Sequence, residues 1–121
     1  MEFEYKIPFR PPSVNTYWRR VRNRFYISEA GQKFKYNVRV YMMTQKKKLS
    51  KEKLEVDLIL NFKDKTVRDI DNFCKGIFDS LTGILWKDDS QIIKLHITKN
   101  TDTKESDNFI LRVREVENDG K

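Results

Sequence analysis

Four carboxylates and one amine capable of joint chemistry stand in the run Arg68–Ser90, RDIDNFCKGIFDSLTGILWKDDS: Asp69 and Asp71, Lys75, then Asp88 and Asp89. Carboxylates gathered without clustered histidine or cysteine select hard, oxygen-loving cations, so magnesium or manganese fits and zinc does not. A metal held this way, with open water positions, can activate water for attack on a phosphodiester and neutralise the charge of the transition state. Lys75 is then suited to steady that charge or to orient the attacking water. The competing reading is structural: aspartates are favoured at helix starts by capping and dipole alone, and WKDDS also reads as an ordinary turn. Asp64 and Asp79 read as structural or solvated.

Spacing limits how these groups can meet. Residues two apart on a helix point about 200° apart, so Asp69 and Asp71 can share a ligand only if Asp69 lies on extended backbone before the helix. Asp71 and Lys75, four apart, share a helical face. Asp89 has to return to the helix start. A helix from Asp71 to Leu81 advances roughly 15 Å and the eight residues after it extend to about 26 Å, which makes the return feasible without forcing it.

The surrounding chain has the opposite charge. Of the net +7, residues 1–51 contribute +10 and residues 52–121 contribute −3. A basic half of this kind suits a polyanion such as nucleic acid, whose binding weakens with salt; a solvated surface is the alternative. The densest part is YWRRVRNRFY, with Arg19, Arg20, Arg22 and Arg24 between aromatics. Arginine forks pair with phosphate, and aromatic faces stack on unpaired bases. Part of this stretch reads as a hairpin turning at Arg22 and Asn23. Trp18, Phe25 and Tyr26 read as core-facing and the arginines as outward.

The elements that position these groups follow from periodicity. Residues 2–9 alternate as a strand ended by Pro8, and Pro11 and Pro12 stiffen a loop that continues through Asn15. Ser28 caps a helix over Glu29–Gln45, with Phe34, Val38, Tyr41 and Met42 inward and Lys33, Lys35 and Arg39 outward. Residues 53–62 form a strand, with Leu54, Val56, Leu58 and Leu60 inward. A second helix starts near Ile70 or Asp71, buries Phe73, Ile77, Phe78 and Leu81, and stops at Gly83. Gln91–Lys99 is a strand with Leu95 and Ile97 inward and His96 on the other face, a surface residue without an evident partner. Phe109–Val116 is the last strand, and Glu117–Lys121 is a frayed tail. Together these predict a single α+β domain over residues 1–121: two layers, one mixed β-sheet with two helices packed on it, in the order β-α-β-α-β-β. The single Cys74 forms no bridge, no signal peptide is evident, and no apolar run is long enough to span a bilayer, so the chain reads as cytoplasmic.

Several pieces taken together resemble the RusA-type Holliday junction resolvases. They are PPSVN at Pro11–Asn15 followed by Tyr17 and Arg19, SEAGQ at Ser28–Gln32, RDIDNFCK at Arg68–Lys75 with FDSLTG at Phe78–Gly83, and WKDDSQI at Trp86–Ile92. They occur in order across nearly the whole chain. The resemblance implies a homodimer that binds four-way DNA junctions and makes paired nicks using magnesium, with manganese able to substitute. Carried over by position, it implies Asp69, Asp71 and Asp89 as metal ligands and catalytic residues, with Lys75 as the catalytic lysine. Asp88 is either a further ligand or a neighbour supporting the others. The DNA-contacting set is Arg19, Arg20, Arg22, Arg24, Lys33 and Arg68. Where family members often carry a longer arginine run before the first aspartate, this chain has KDKTVRD, which leaves Arg68 alone there. Two other classes compete: a module that binds branched DNA without cutting it, and a small-molecule phosphate-transfer enzyme. The second lacks a glycine-rich phosphate cradle.

Overall fold

The computed structural model describes residues 2–116. In chain order the elements are β1 (Glu2–Ile7), α1 (Val14–Tyr17), β2 (Trp18–Val21), β3 (Arg24–Ile27), α2 (Glu29–Met42), β4 (Leu54–Asn61), α3 (Cys74–Leu81), β5 (Ile92–Asn100) and β6 (Asn108–Glu115). A turn of 3-10 helix, Ile70–Phe73, leads into α3, and another, Asp89–Gln91, leads into β5. The main sheet has the order β1-β6-β4-β5. Only β4 and β5 run parallel, which makes it the expected mixed sheet. Strands β2 and β3 pair as a separate antiparallel hairpin.

The period-two pattern of LEVDLILN decides the layering. Leu54, Val56, Leu58 and Leu60 are fully buried and meet Phe34, Val38 and Met42 of α2 and Ile77 and Leu81 of α3, with Phe109, Leu111 and Val113 from β6. The other face of the sheet stays in solvent and is laced by ion pairs. Arg114 reaches Glu55 at 3.3 Å and Asp57 at 3.1 Å, and Arg112 reaches Glu4 at 2.7 Å. Gly83, at φ +89 in the left-handed region, ends α3 as expected.

Several sequence expectations need correction. Ser13 does not continue a loop: its hydroxyl accepts the Thr16 amide at 3.3 Å and caps the short α1. The first long helix ends at Met42, and Met43–Gln45 continue as turns. The aromatics expected to face the core separate. Trp18 is half-buried, whereas Phe25 is 64% and Tyr26 49% exposed, because the hairpin pairs with no strand of the main sheet. Leu95 is 39% exposed, since β5 is the sheet's edge. His96 does have a partner, Glu55, at 2.9 Å.

The open face makes the fold acid-sensitive. Hydrogen bonds from His96 and then Arg114 hold the Glu55 carboxyl below its ordinary value of 4.5. A carboxyl depressed by folding contributes stability above its unfolded value, and that stability is lost as pH falls through the folded one. Thermal melting should therefore drop as pH is lowered from about 5 towards 3, and Glu55→Gln should drop less over that interval.

Candidate active site

The segment between β4 and α3 is fixed from its first residues. Asp64 grips the Arg68 guanidinium through two contacts, 2.7 and 3.2 Å, and that guanidinium lies 4.2 Å above the Phe62 ring. The Arg68 side chain is only 8% exposed, and the Arg68 pairing holds the Asp64 carboxyl far below the usual carboxylate range. The ammonium of Lys99, from the end of β5, donates to the Arg68 carbonyl. Asp69 follows on extended backbone, φ −79 and ψ 129, at the cap position of the 3-10 turn, with Asp71 inside that turn.

The capping explanation for Asp69 fails on this geometry, because its carboxylate makes no cap hydrogen bond. Ion pairs among the described residues use Asp57, Asp64, Asp79, Asp102 and Asp107 and leave Asp69, Asp71 and Asp89 unpaired. All three are exposed. Bare carboxylates in a chain of net charge +7 are the donor set a hard divalent cation takes, so the residues fit such an ion. Asp69 also borders a cleft of about 690 Å³ between Arg10–Ser13 and Val67–Asp69.

Lys75 is exposed and forms no ion pair with Asp71. The 3-10 winding of Ile70–Phe73 turns Asp71 off the face expected for a continuous α-helix. The Lys75 ammonium instead lies 5.8 Å from the centre of the Trp18 ring. Asp88 is a cap: its carboxylate accepts the Ser90 hydroxyl and the Ser90 amide, the latter at 3.2 Å, bonds that hold its pKa below the ordinary carboxylate value. Gln91 completes the turn. Its carbonyl oxygen takes the Lys87 and Asp88 amides, and its amide group donates to the Ser50 and Glu52 carbonyls.

That anchoring decides where Asp89 can go. Trp86 is fully buried and donates to Thr82 at the C-terminal end of α3, so the turn bearing Asp89 sits at that end, tied to the entrance of β4. Asp69 and Asp71 stand at the N-terminal end, roughly 18 Å away along the intervening 3-10 and α-helical turns. The return expected of Asp89 is therefore not made within one chain. Among the described residues the only three potential ligand groups within 4.8 Å of one another are Glu55, Asp57 and His96, on the open face. Arg114 already occupies both of those carboxylates, and a cation would have to displace it.

The cations divide cleanly. Arg19, Arg20, Arg22, Arg24 and Lys33 are exposed, whereas Arg68, Arg112 and Arg114 are paired with carboxylates. Arg68 therefore stands as a brace for the Asp69 segment and not as an exposed phosphate contact. Arg22, at the hairpin tip, has φ 58, a left-handed conformation uncommon for arginine.

Residues 8–110 match the family model described as Endodeoxyribonuclease RusA. The chain belongs to the RusA endodeoxyribonuclease family. It is 40% identical over 81 residues to the crossover junction endodeoxyribonuclease rusA of Enterobacteria phage HK97, covering 66% of this chain and 67% of that protein. To the RusA protein of Escherichia coli strain K12 it is 32% identical over 103 residues, covering 78% and 80%. The rusA protein of Enterobacteria phage 82 is 33% identical over 96 residues, with the same two coverages. The matched span in the family comparison includes the hairpin, both long helices and every aspartate discussed above.

Sequence reasoning missed Lys99. The available signal was its place on the inward face of β5 after Ile97, where an apolar residue would continue the pattern. Lys99→Met should free the Arg68 carbonyl and speed hydrogen exchange at the Asp69 and Ile70 amides at least several-fold, with global stability much less affected. Unchanged exchange there would remove Lys99 from the site. No helix among the described residues is long and apolar enough to cross a membrane.

Proposed function

We propose that this chain is a metal-dependent, structure-specific endonuclease that resolves four-way DNA junctions by paired nicks as a homodimer in the cytoplasm. Asp69, Asp71 and Asp89 are its ligands for magnesium, with manganese able to substitute, and Lys75 works beside them. The observation that carries the reading is the unpaired state of these three aspartates in a basic chain whose other described aspartates are mostly ion-paired. The names of the relatives, crossover junction endodeoxyribonucleases, supply the substrate class.

The separation of Asp89 from Asp69 and Asp71 supports the homodimer. A twofold partner can bring its own Asp89 turn to the first chain's aspartates and receive the reciprocal contribution, giving two equal sites suited to paired nicks. When bound, the divalent ion supplies an activated water and charge neutralisation at the cleaved phosphate. The chain's own residues do the rest. The hairpin arginines hold phosphates of the approaching strand, Trp18 keeps the Lys75 ammonium close, and that ammonium steadies charge at the reacting phosphate. Asp64 and Arg68 hold the Asp69 backbone in place.

Purified protein with a labelled four-way junction and magnesium tests this directly. Nicks paired across the junction are expected, and uncut strands at every protein concentration would sink the reading. A protein that binds branched DNA, leaves it uncut and behaves the same with Asp69→Asn as without it would instead be a binding module.

A further inference from the structure

The hairpin carries more than charge. By strand alternation Trp18, Arg20, Phe25 and Ile27 share one of its faces, with Arg20 paired to Phe25 and Trp18 to Ile27. On that face a cleft of about 420 Å³ is lined by Val14, Asn15, Trp18, Arg20 and Phe25. Its walls suit a flat, polar-edged ligand. The Arg20 guanidinium lies 5.8 Å from the centre of the Phe25 ring, and its Nε is held by the Arg22 carbonyl at 3.1 Å, so cation and ring are set together before any ligand arrives. Asn15 is exposed at the cleft and offers both an amide donor and a carbonyl acceptor.

We infer that this cleft is a pocket for one unpaired nucleobase, stacked by Phe25 and Arg20 and addressed at its edge by Asn15. The inference rests on the reading that DNA passes the hairpin towards Lys75. Three observations favour a base over another occupant. The volume is of the size that takes one small, flat molecule. Exposed arginines beside it complement the phosphates flanking such a base. Trp18 lines the cleft and also lies under the Lys75 ammonium, so a captured base sets which phosphate reaches the lysine. Stacking draws an unpaired base regardless of identity, whereas the Asn15 edge discriminates. The pocket would thus favour the strand-exchange point of a junction and select the nucleotide cut there.

A double-mutant cycle tests this by anisotropy in EDTA, with no cleavage required. Phe25 is 64% exposed, so Phe25→Ala leaves the core intact. It should weaken junction binding on the order of tenfold. Removing the base at the strand-exchange point, by an abasic nucleotide, should weaken wild-type binding to the same degree. The two changes together should be no worse than either alone, and Phe25→Tyr should restore binding. Losses that multiply would overturn the pocket, as would a Phe25→Ala protein whose defect is a changed oligomeric state by gel filtration. Asn15→Ala should flatten the base preference of the cut sites; an unaltered preference would remove Asn15 from the reading. If wild-type protein cuts junctions but the cycle is additive, the pocket alone falls. If the cycle couples but no DNA is cut, the nuclease reading falls and the pocket stands. A wild-type protein that binds no junction sinks both.

Discussion

Asp71→Asn and Asp89→Asn proteins, each inactive alone, are expected to regain nicking when one subunit of each is joined in a dimer. If each carboxylate is a ligand of the proposed metal, its loss would remove several kcal/mol of transition-state stabilisation, a drop of at least about 10³-fold in cleavage. The two lesions nevertheless lie at opposite ends of α3, because buried Trp86 and the Gln91 clamp hold the Asp89 turn away from the 3-10 turn bearing Asp71. If each site takes Asp69 and Asp71 from one subunit and Asp89 from the other, the mixed dimer has one intact site and one doubly damaged site. Purified through a different tag on each subunit, it should nick at about half the wild-type rate, with single nicks in place of paired ones. Both single mutants should still bind the junction, since removing a carboxylate from a phosphate-facing surface does not weaken its attraction for DNA. A doubly tagged dimer as inactive as its parents would refute the shared site.

The carboxylates and lysine of the proposed site stand out in the sequence, but their relative placement does not. Asp69 on extended backbone followed from the two-residue spacing, because that geometry is local. The position of Asp89 depended on what anchors Trp86 and Gln91, and their partners at Thr82, Ser50 and Glu52 are set by packing. Arg68 shows the same limit. As a lone arginine beside an aspartate it read as a phosphate contact, yet Asp64, four residues earlier, and the Phe62 ring take it up. The layered fold was readable because β4 and α2 announce their buried faces by period. The hairpin is readable as a turn but not as a projection: YWRRVRNRFY carries no sign that the main sheet leaves it unpaired, so nothing local separates the exposed Phe25 and Tyr26 from the buried Tyr17 and half-buried Trp18.

Gly31→Ala is expected to destabilise the protein by about 1–3 kcal/mol, despite alanine being the better helix former. A Cβ at this position of α2 would lie 2.7 Å from the Tyr17 carbonyl oxygen and 2.9 Å from both Tyr17 Cδ1 and Ile27 Cγ2. Tyr17 has little room to yield. Its carbonyl is held by the Ser28 amide at 2.8 Å, its hydroxyl donates to Asp79, and its ring is fully buried against Trp18. Burial, followed by that bond to Asp79, pushes the phenol pKa well above its ordinary value, so the ring stays neutral. On the other side a Cβ at Gly76 of α3 would meet Tyr17 Cδ1 at 3.1 Å and Pro12 at 3.3 Å, a milder crowding. Tyr17 thus packs between glycines from the SEAGQ and RDIDNFCKG stretches, with PPSVNTY supplying the tyrosine, which gives the separated motifs of this chain a common packing reason. Displacing Tyr17 also moves Trp18, and with it the hairpin's relation to Lys75. Gly31→Ala should therefore lower the chemical-denaturation midpoint and slow cleavage under conditions where the protein is still folded, with Gly76→Ala weaker in both respects. A Gly31→Ala protein at least as stable as wild type would refute the claim that the contact around Tyr17 is tight.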